Sequence, residues 1–390
     1  MTNPIRSLHA DVDDRPVIMI WEVTRACTLA CAHCLADALP CRDPRELTTE
    51  EGYALLDDLA SYGRPRPMVV LTGGDPFERH DLADLVAHGT AAGLHISLSP
   101  SVTPRLTTDT LSAMEQAGAH VVSLSLDGAT PATHDAFRGI DGTFAATIKA
   151  AASVHDAGLR LQVNTTVTAT NVGELPDLLD LVVELEPTLW SVFFLVPTGR
   201  GEALAVLPAP EVEQVLWWLH EIAEAVPVKT TEAPHFRRVA IQRANQSAAP
   251  AVGGPLLGEL RSRTRPHPPR ATGHGGRVRP PLDVNAGRGF AFIDHTGSVQ
   301  PSGFLPVSVG SVAEQPFSTI YREAPLLRML RDPDQLGGRC GACEFRAVCG
   351  GSRSHAFAVL GDPLAEDPGC SYQPMGASPA ASDATRRTAS

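Results

Sequence analysis

Residues 21–34 read WEVTRACTLACAHC, and Cys27, Cys31 and Cys34 stand there in a C-x3-C-x2-C pattern. The pattern directly follows an apolar run, residues 17–21, that reads as a strand. Three thiolates on one short loop suit iron–sulfur ligation, because soft sulfur donors hold iron in sulfide clusters well. Their number is informative. A [4Fe–4S] cluster bound by three cysteines keeps one iron open to another ligand, whereas a closed zinc site wants a fourth protein donor. His33 is the nearest candidate for that donor. Ligands at 31, 33 and 34 would crowd one another, so a cluster is the better reading.

Working outward, strand-like runs at 68–72, 95–100, 120–126, 161–167 and 189–194 alternate with amphipathic stretches at 49–62, 81–92, 108–117, 142–157 and 172–185. A further helix is expected over 210–225, with Glu211 and Glu213 in its first turn, where the helix dipole favours acids. Strands joined by helical crossovers are parallel, and their apolar β-branched character fits burial on both faces. This is an α/β chain of six βα units. The pattern alone leaves open a doubly wound sheet or an incomplete barrel, and both gather ligands at the strand carboxyl ends. Residues 248–281 are rich in Gly, Pro and Arg and read as a flexible linker or, less simply, a substrate lid. Runs at 290–294 and 298–301 flank His295-Thr296-Gly297 and read as a hairpin. The Ala/Ser/Thr-rich end, 376–390, reads as disordered.

The chain of 390 residues carries 32 Lys+Arg against 44 Asp+Glu, a net charge of −12, with 43% apolar and 19% charged residues. That balance argues against a nucleic-acid partner or attachment to anionic lipid, both of which need basic patches. No apolar run is long enough to span a bilayer, and Asp11, Asp13 and Asp14 interrupt any export signal, so a cytoplasmic protein is expected. The eight cysteines could form disulfides. A chain with this much core does not need them, and the spacings look like ligand sets. Cys340, Cys343, Cys349 and Cys370 form a second set, C-x2-C-x5-C-x20-C, able to close a zinc site or a fully ligated cluster. Cys41 is left as a free thiol.

WEVTRACTLACAHC resembles the motif of radical S-adenosylmethionine (SAM) enzymes, with His33 where members usually carry an aromatic residue. The resemblance implies a [4Fe–4S] cluster whose open iron chelates the amino and carboxylate groups of SAM, and whose electron cleaves SAM to methionine and a 5′-deoxyadenosyl radical. Cys27, Cys31 and Cys34 are then the catalytic cluster ligands. Thr72-Gly73-Gly74-Asp75-Pro76 resembles the family's GGEP element, whose backbone contacts the SAM ammonium, with Asp75 in place of Glu. Ser125, Asp127 and Gly128, followed by His134, Asp135 and Arg138, resemble the S-x-D-G…H-D-x-x-R element of members with a C-terminal extension. That places Arg138 on the SAM carboxylate, a role suited to a bidentate guanidinium. Asn164, in VNTTVT, resembles a ribose contact, or is a buried amide of the barrel interior. Leu195 and Val196 would line the adenine or belong to the core. Ser99 and Ser101 are ribose candidates on position alone.

The segment from Cys340 to Cys370, with Cys-Gly-Gly at 349–351, is similar to the SPASM/twitch auxiliary-cluster segment, above all in radical SAM proteins of haem and haem d1 synthesis. Ser302 stands where the fuller SPASM pattern has a cysteine, so one auxiliary cluster is expected, not two. The resemblance resolves the fold to an incomplete (β/α)6 TIM-like barrel over 16–226, a bridging segment over 227–284, and a small iron–sulfur domain over 285–375. It implies hydrogen abstraction from a substrate carbon, with an oxidative or decarboxylating outcome in tetrapyrrole or natural-product biosynthesis. The auxiliary cluster would be an electron conduit or a structural staple. A flavodoxin- or ferredoxin-type donor would reduce the enzyme. The substrate would be a small molecule such as a tetrapyrrole, or a ribosomally made peptide, and only about 15 residues precede the first strand to hold a leader-binding domain. A non-catalytic redox sensor is the alternative from another class, and an open iron beside a SAM loop weighs against it. His235, Arg237 and Arg238, following the last barrel helix, could clamp substrate carboxylates or be ordinary surface polarity.

Overall fold

The computed structural model describes residues 5, 11–35, 38–245, 253–269 and 281–375. Six βα units open the chain: β1 (Ile18–Thr24), α1 (Thr49–Ser61), β2 (Met68–Gly73), α2 (Leu82–Ala91), β3 (His95–Leu98), α3 (Thr108–Gln116), β4 (Val121–Ser125), α4 (Pro131–Arg138), α5 (Thr143–Asp156), β5 (Arg160–Val167), α6 (Leu175–Glu184), β6 (Leu189–Phe194) and α7 (Ala209–Ile222). Local chemistry sets their ends. Thr48 and Glu51 form a capping box at α1. Thr130 caps α4, Pro131 occupies its first turn, and Gly139 ends it in the left-handed region.

Strands β1 to β6 pair in sequence order and in parallel. Met19, Trp21 and Val23 point outward into the helix layer and are fully buried, while Ile18, Ile20, Glu22 and Thr24 alternate onto the barrel interior. The sheet runs past residue 226. β7 (Val228–Thr231) adds parallel to β6, followed by α8 (His235–Ala244).

Helix α9 (Pro255–Arg263) falls inside the Gly/Pro/Arg-rich stretch expected to be a flexible linker. It buries Leu257 and Leu260, and Gln214 on α7 accepts a hydrogen bond from the Leu257 N–H at 3.0 Å. Over 255–263 the linker expectation is therefore corrected: two leucines one turn apart suffice to dock a helix. Within that stretch, 248–252 and 270–280 lie outside the described residues, as does the tail at 376–390.

The hairpin forms as β8 (Phe290–Ile293) and β9 (Ser298–Gln300), with β10 (Gly310–Ser311) antiparallel to β9. β8 pairs in parallel with β1, so the C-terminal unit extends the barrel sheet, whose two edges are β7 and β10. Helices α10 (Phe317–Glu323), α11 (Pro325–Arg331), α12 (Gly338–Ala342) and α13 (Arg353–Leu360) complete the cysteine-bearing end.

Candidate active site and auxiliary centre

A cavity of about 240 Å³ opens at the carboxyl ends of the strands, and Cys27, Cys31 and Cys34 all line it. The loop that carries them is pinned by its backbone. The Cys27 N–H donates to the Leu39 carbonyl, the Ala32 N–H to Phe137 at the end of α4, and the Arg200 N–H to the Cys34 carbonyl. The Leu29 N–H points at the Cys27 sulfur from 3.3 Å, and Arg138 Nη1 lies 3.7 Å from the Cys31 sulfur. All three thiols are free, and Cys41 is exposed and does not line the cavity. Three free sulfurs facing one cavity, with N–H donors aimed at two of them, fit a cluster with an open iron. His33 also lines the cavity, but its ring packs against Phe137 at 4.6 Å, and burial pushes its pKa down to about 4.

Gly73 and Gly74 line the same cavity, and both need their missing side chains. A Cβ on Gly73 would meet the Thr24 carbonyl oxygen at 2.1 Å, at φ +147, and one on Gly74 the Ala26 oxygen at 2.4 Å. The β2 loop thus presses against the start of the cysteine loop. Asp75 and Pro76 do not line the cavity. The buried Asp75 carboxylate accepts from Thr103 Oγ1 at 2.7 Å and from the Phe77 N–H at 3.2 Å, holding the turn.

The H-D-x-x-R element divides its work. The Asp127 N–H donates to His134 Nδ1, and Asp135 accepts from the N–H groups of Gly142 and Phe144 at the start of α5. Arg138 forms a buried ion pair with Asp127, whose other oxygen accepts from the Thr166 N–H at 2.7 Å. Burial, the largest single effect, would raise the Asp127 pKa, but the Arg138 charge together with His33, His134 and the Thr166 N–H outweighs it, and the carboxyl is held low. Ser125, Arg138 and Asn164 reach the cavity, with Asn164 Oδ1 accepting from Gln162 Nε2 at 2.7 Å. Ser99 and Ser101 reach it too, and Ser101 Oγ donates to the Gly74 carbonyl at 2.7 Å. Leu195 is buried and does not line this cavity, in keeping with the core alternative for that residue.

The clamp expected of His235, Arg237 and Arg238 is also corrected: none of them lines the mouth cavity. His235 Nε2 lies 2.9 Å from buried Asp367. Arg237 donates to the carbonyls of Val348, Cys349, Leu282 and Val284, and Arg238 pairs with Glu213 and donates to Gln242 Oε1. His235 and Arg237 fasten α8 to the C-terminal unit, and Arg238 fastens it to α7. Basic side chains near a barrel end look alike in sequence whether they face a substrate or a distant backbone.

Cys340, Cys343, Cys349 and Cys370 line one small cavity with Gly350, Gly351 and Asp367. Four free thiols converging there suit a fully ligated group. Ser302 instead belongs to a hydroxyl set: Ser302, Ser352 and Ser354 all donate to the Glu232 carboxylate. The C-terminal unit also reaches the barrel mouth. Phe292 and Phe304 line its cavity beside Phe193, and His295 Nδ1 lies 2.8 Å from Glu22, which lines it as well. Sequence reasoning missed these residues and Arg200. The alternation of β1 could have placed Glu22 inside, but its partner sits 273 positions away.

This architecture matches known proteins. The radical SAM superfamily model matches residues 21–231, so the chain belongs to the radical SAM superfamily, whose members use a [4Fe–4S] cluster and SAM. It is 37% identical over 366 residues to the AdoMet-dependent heme synthase of Nitratidesulfovibrio vulgaris, covering 93% of this chain and 94% of that one. It is 30% identical to the Fe-coproporphyrin III synthase of Methanosarcina barkeri, covering 94% and 90%. The chain is therefore a radical SAM enzyme related to the heme synthases of tetrapyrrole biosynthesis. In fold it is similar to SuiB of Streptococcus suis, solved bound to SAM, with a TM-score of 0.66 at 15% identity over 92% of this chain and 78% of that one. Among the described residues no helix is long and apolar enough to cross a membrane.

Proposed function

We propose that this enzyme converts propionate side chains of an iron tetrapyrrole to alkenes by oxidative decarboxylation. The observation that carries the reading is the relationship to an AdoMet-dependent heme synthase along nearly the whole of both chains. For each side chain the balance is loss of CO2, one hydrogen atom and one electron from a propionate, leaving a carbon–carbon double bond. The cluster and SAM, when bound by Cys27, Cys31 and Cys34, supply the species that takes the hydrogen atom.

The chain's own residues shape the rest. Arg138 is fixed by Asp127 against the Cys31 sulfur and can meet a carboxylate at the cluster edge. Arg200 brings a second guanidinium into the same cavity, taking the role that Arg237 and Arg238 cannot fill. Phe193, Phe292 and Phe304 give the mouth an apolar wall, suited to a flat macrocycle and to keeping water from a radical. The electron needs an acceptor, and the four-cysteine cavity is the place that can hold one. The reading includes a cytoplasmic reaction and a flavodoxin- or ferredoxin-type donor.

The test is anaerobic incubation of iron- and sulfide-reconstituted protein with SAM, dithionite and iron-coproporphyrin III. Mass spectrometry is expected to show side chains that have lost CO2 and two hydrogens relative to the propionic acid, matched by an equal amount of 5′-deoxyadenosine. Unchanged tetrapyrrole, with deoxyadenosine formed no faster than in its absence, would overturn the proposal.

A further inference from the structure

Arg353, at the head of α13, is buried to 1% exposure. Its Nη2 lies 3.5 Å from the Cys340 sulfur, and its Nη1 donates to the carbonyls of Pro363 at 2.9 Å and Ala365 at 2.7 Å. Its Nε donates to the Gly351 carbonyl at 3.2 Å. No carboxylate is among these partners. The buried carboxylate of the site, Asp367, is taken by His235, His355 and the N–H groups of Ser352 and Gly369. Among the described residues, the group within reach of Arg353 that can carry negative charge as a ligand is therefore the Cys340 sulfur.

A buried guanidinium without a counter-charge is costly, and fastening three carbonyls does not need one. The approach is also built for. A Cβ on Gly351 would stand 2.6 Å from Arg353 Nη2, 2.7 Å from Asp367 Cβ and 2.8 Å from the Cys340 sulfur, at φ +66, so the glycine clears the space in which these three groups meet. The arginines around the cavity have carboxylates of their own: Arg339 faces Glu366, Arg346 faces Asp334, and Arg237, on the Cys349 carbonyl, lies 4.0 Å from Asp283. His235 faces Asp367, and Arg238 faces Glu213. Positive charge that is not neutralised thus sits on Cys340.

We propose that Arg353 is a positioning residue for electron transfer: its charge, held against the Cys340 sulfur, raises the reduction potential of the auxiliary cluster and fits it to accept an electron. The inference rests on the reading of the four-cysteine cavity as a cluster site. One-electron reduction adds one negative charge to a cluster and its four thiolates, and a fixed cation in a low-dielectric surrounding favours that state. The Asp367 N–H, 3.3 Å from the same sulfur, acts in the same direction.

The experiment uses the full-length chain carrying Cys27→Ala, Cys31→Ala and Cys34→Ala, so that only the auxiliary site can hold iron. It is reconstituted, then titrated with dithionite and followed by electron paramagnetic resonance. Arg353→Gln and Arg353→Met are expected to shift the midpoint to lower potential at unchanged iron content. Arg353→Lys keeps the charge and loses most of the fork, so it is expected to stay near the parent midpoint even if its melting temperature falls. Equal midpoints in the neutral and lysine variants would overturn the proposal. Should neither neutral variant bind iron while the lysine variant does, a charge requirement is supported. Should the lysine variant fail as well, Arg353 is a structural staple and the proposal falls. Absence of iron and signal from the parent would instead overturn the cluster reading itself.

Discussion

The two cysteine sites are built on opposite plans. At the barrel mouth three cysteines line a cavity of about 240 Å³, together with two loop glycines, hydroxyls and aromatic rings. At the C-terminal site four cysteines line one small cavity, with α8 on one side and α13 on the other. Each site places a buried arginine beside a sulfur, but the compensation differs. Arg138 is neutralised by Asp127, whereas Arg353 has only carbonyls and Cys340. A neutralised arginine orients without adding net charge, which suits a site that must admit and release a charged co-substrate. An unneutralised one changes the electrostatics of whatever the sulfurs hold. The difference separates a place for chemistry from a place for an electron.

The sharpest way to break that contrast is to delete one ligand from each set. Cys31→Ala is expected to abolish 5′-deoxyadenosine formation, because the loss removes a cluster ligand beside the cavity. Cys340→Ala, or Cys343→Ala, is expected to keep deoxyadenosine near the parent level while the decarboxylated product disappears. The measurement is both products from one anaerobic assay. Product formed at the parent rate by the Cys340 or Cys343 variants would remove the electron-accepting role from the C-terminal site.

Next in size is the buried pair at the mouth. Arg138→Met leaves Asp127, at 1% exposure, without its counter-charge, and removing one partner of a buried pair costs about 3–5 kcal/mol. The pH dependence has a definite sign. The Asp127 pKa is held below its ordinary value, so the pair's contribution is fully present above the unfolded carboxyl pKa of about 3.9 and is lost as pH falls through the folded value. Urea melts at pH 7 and at progressively lower pH should therefore show a wide gap between parent and variant that narrows in acid. A constant gap would mean that packing, not charge, fixes Arg138.

Much of this was legible in the sequence, and the gaps have physical causes. The six barrel strands were readable because each carries fully buried apolar residues, alternating with partly exposed ones in β2 and β5, and strand β6 was found to the residue. Strand β7 was not, since Val-Lys-Thr-Thr carries too little apolar signal to stand out. Helix α4 was missed although Thr130-Pro131 opens it and Gly139 closes it, because eight residues give a weak periodic pattern. At the sites, cysteine and glycine spacing is local, so the two groups of cysteines that line the cavities and the Gly73-Gly74 loop stood out in the sequence. Partners across the chain could not. Arg237 is explained by backbone atoms 111 and 112 residues away, which no local pattern encodes.

The two regions meet at His295, and there the smallest effect is expected. The β8–β9 turn carries this histidine from the C-terminal unit to the barrel mouth, with Nδ1 2.8 Å from Glu22 and Nε2 3.4 Å from Asp43. Burial by itself would lower its pKa, but the Glu22 hydrogen bond and charge, aided by Asp294 and Asp43, raise it. A raised histidine contributes stability that is fully present below the unfolded value of about 6.5 and is lost as pH rises through the folded pKa. His295→Gln keeps a donor for Glu22 and removes the charge. It should lower stability by on the order of 1 kcal/mol at pH 6, with the deficit shrinking toward pH 9. Thermal melts of equally iron-loaded parent and variant across that range test it, and parallel curves would show that the histidine joins the regions by shape alone. Converging curves would mean that a proton helps to hold the C-terminal unit against the wall of the reaction cavity, coupling the two sites through Glu22 as well as through the sheet they share.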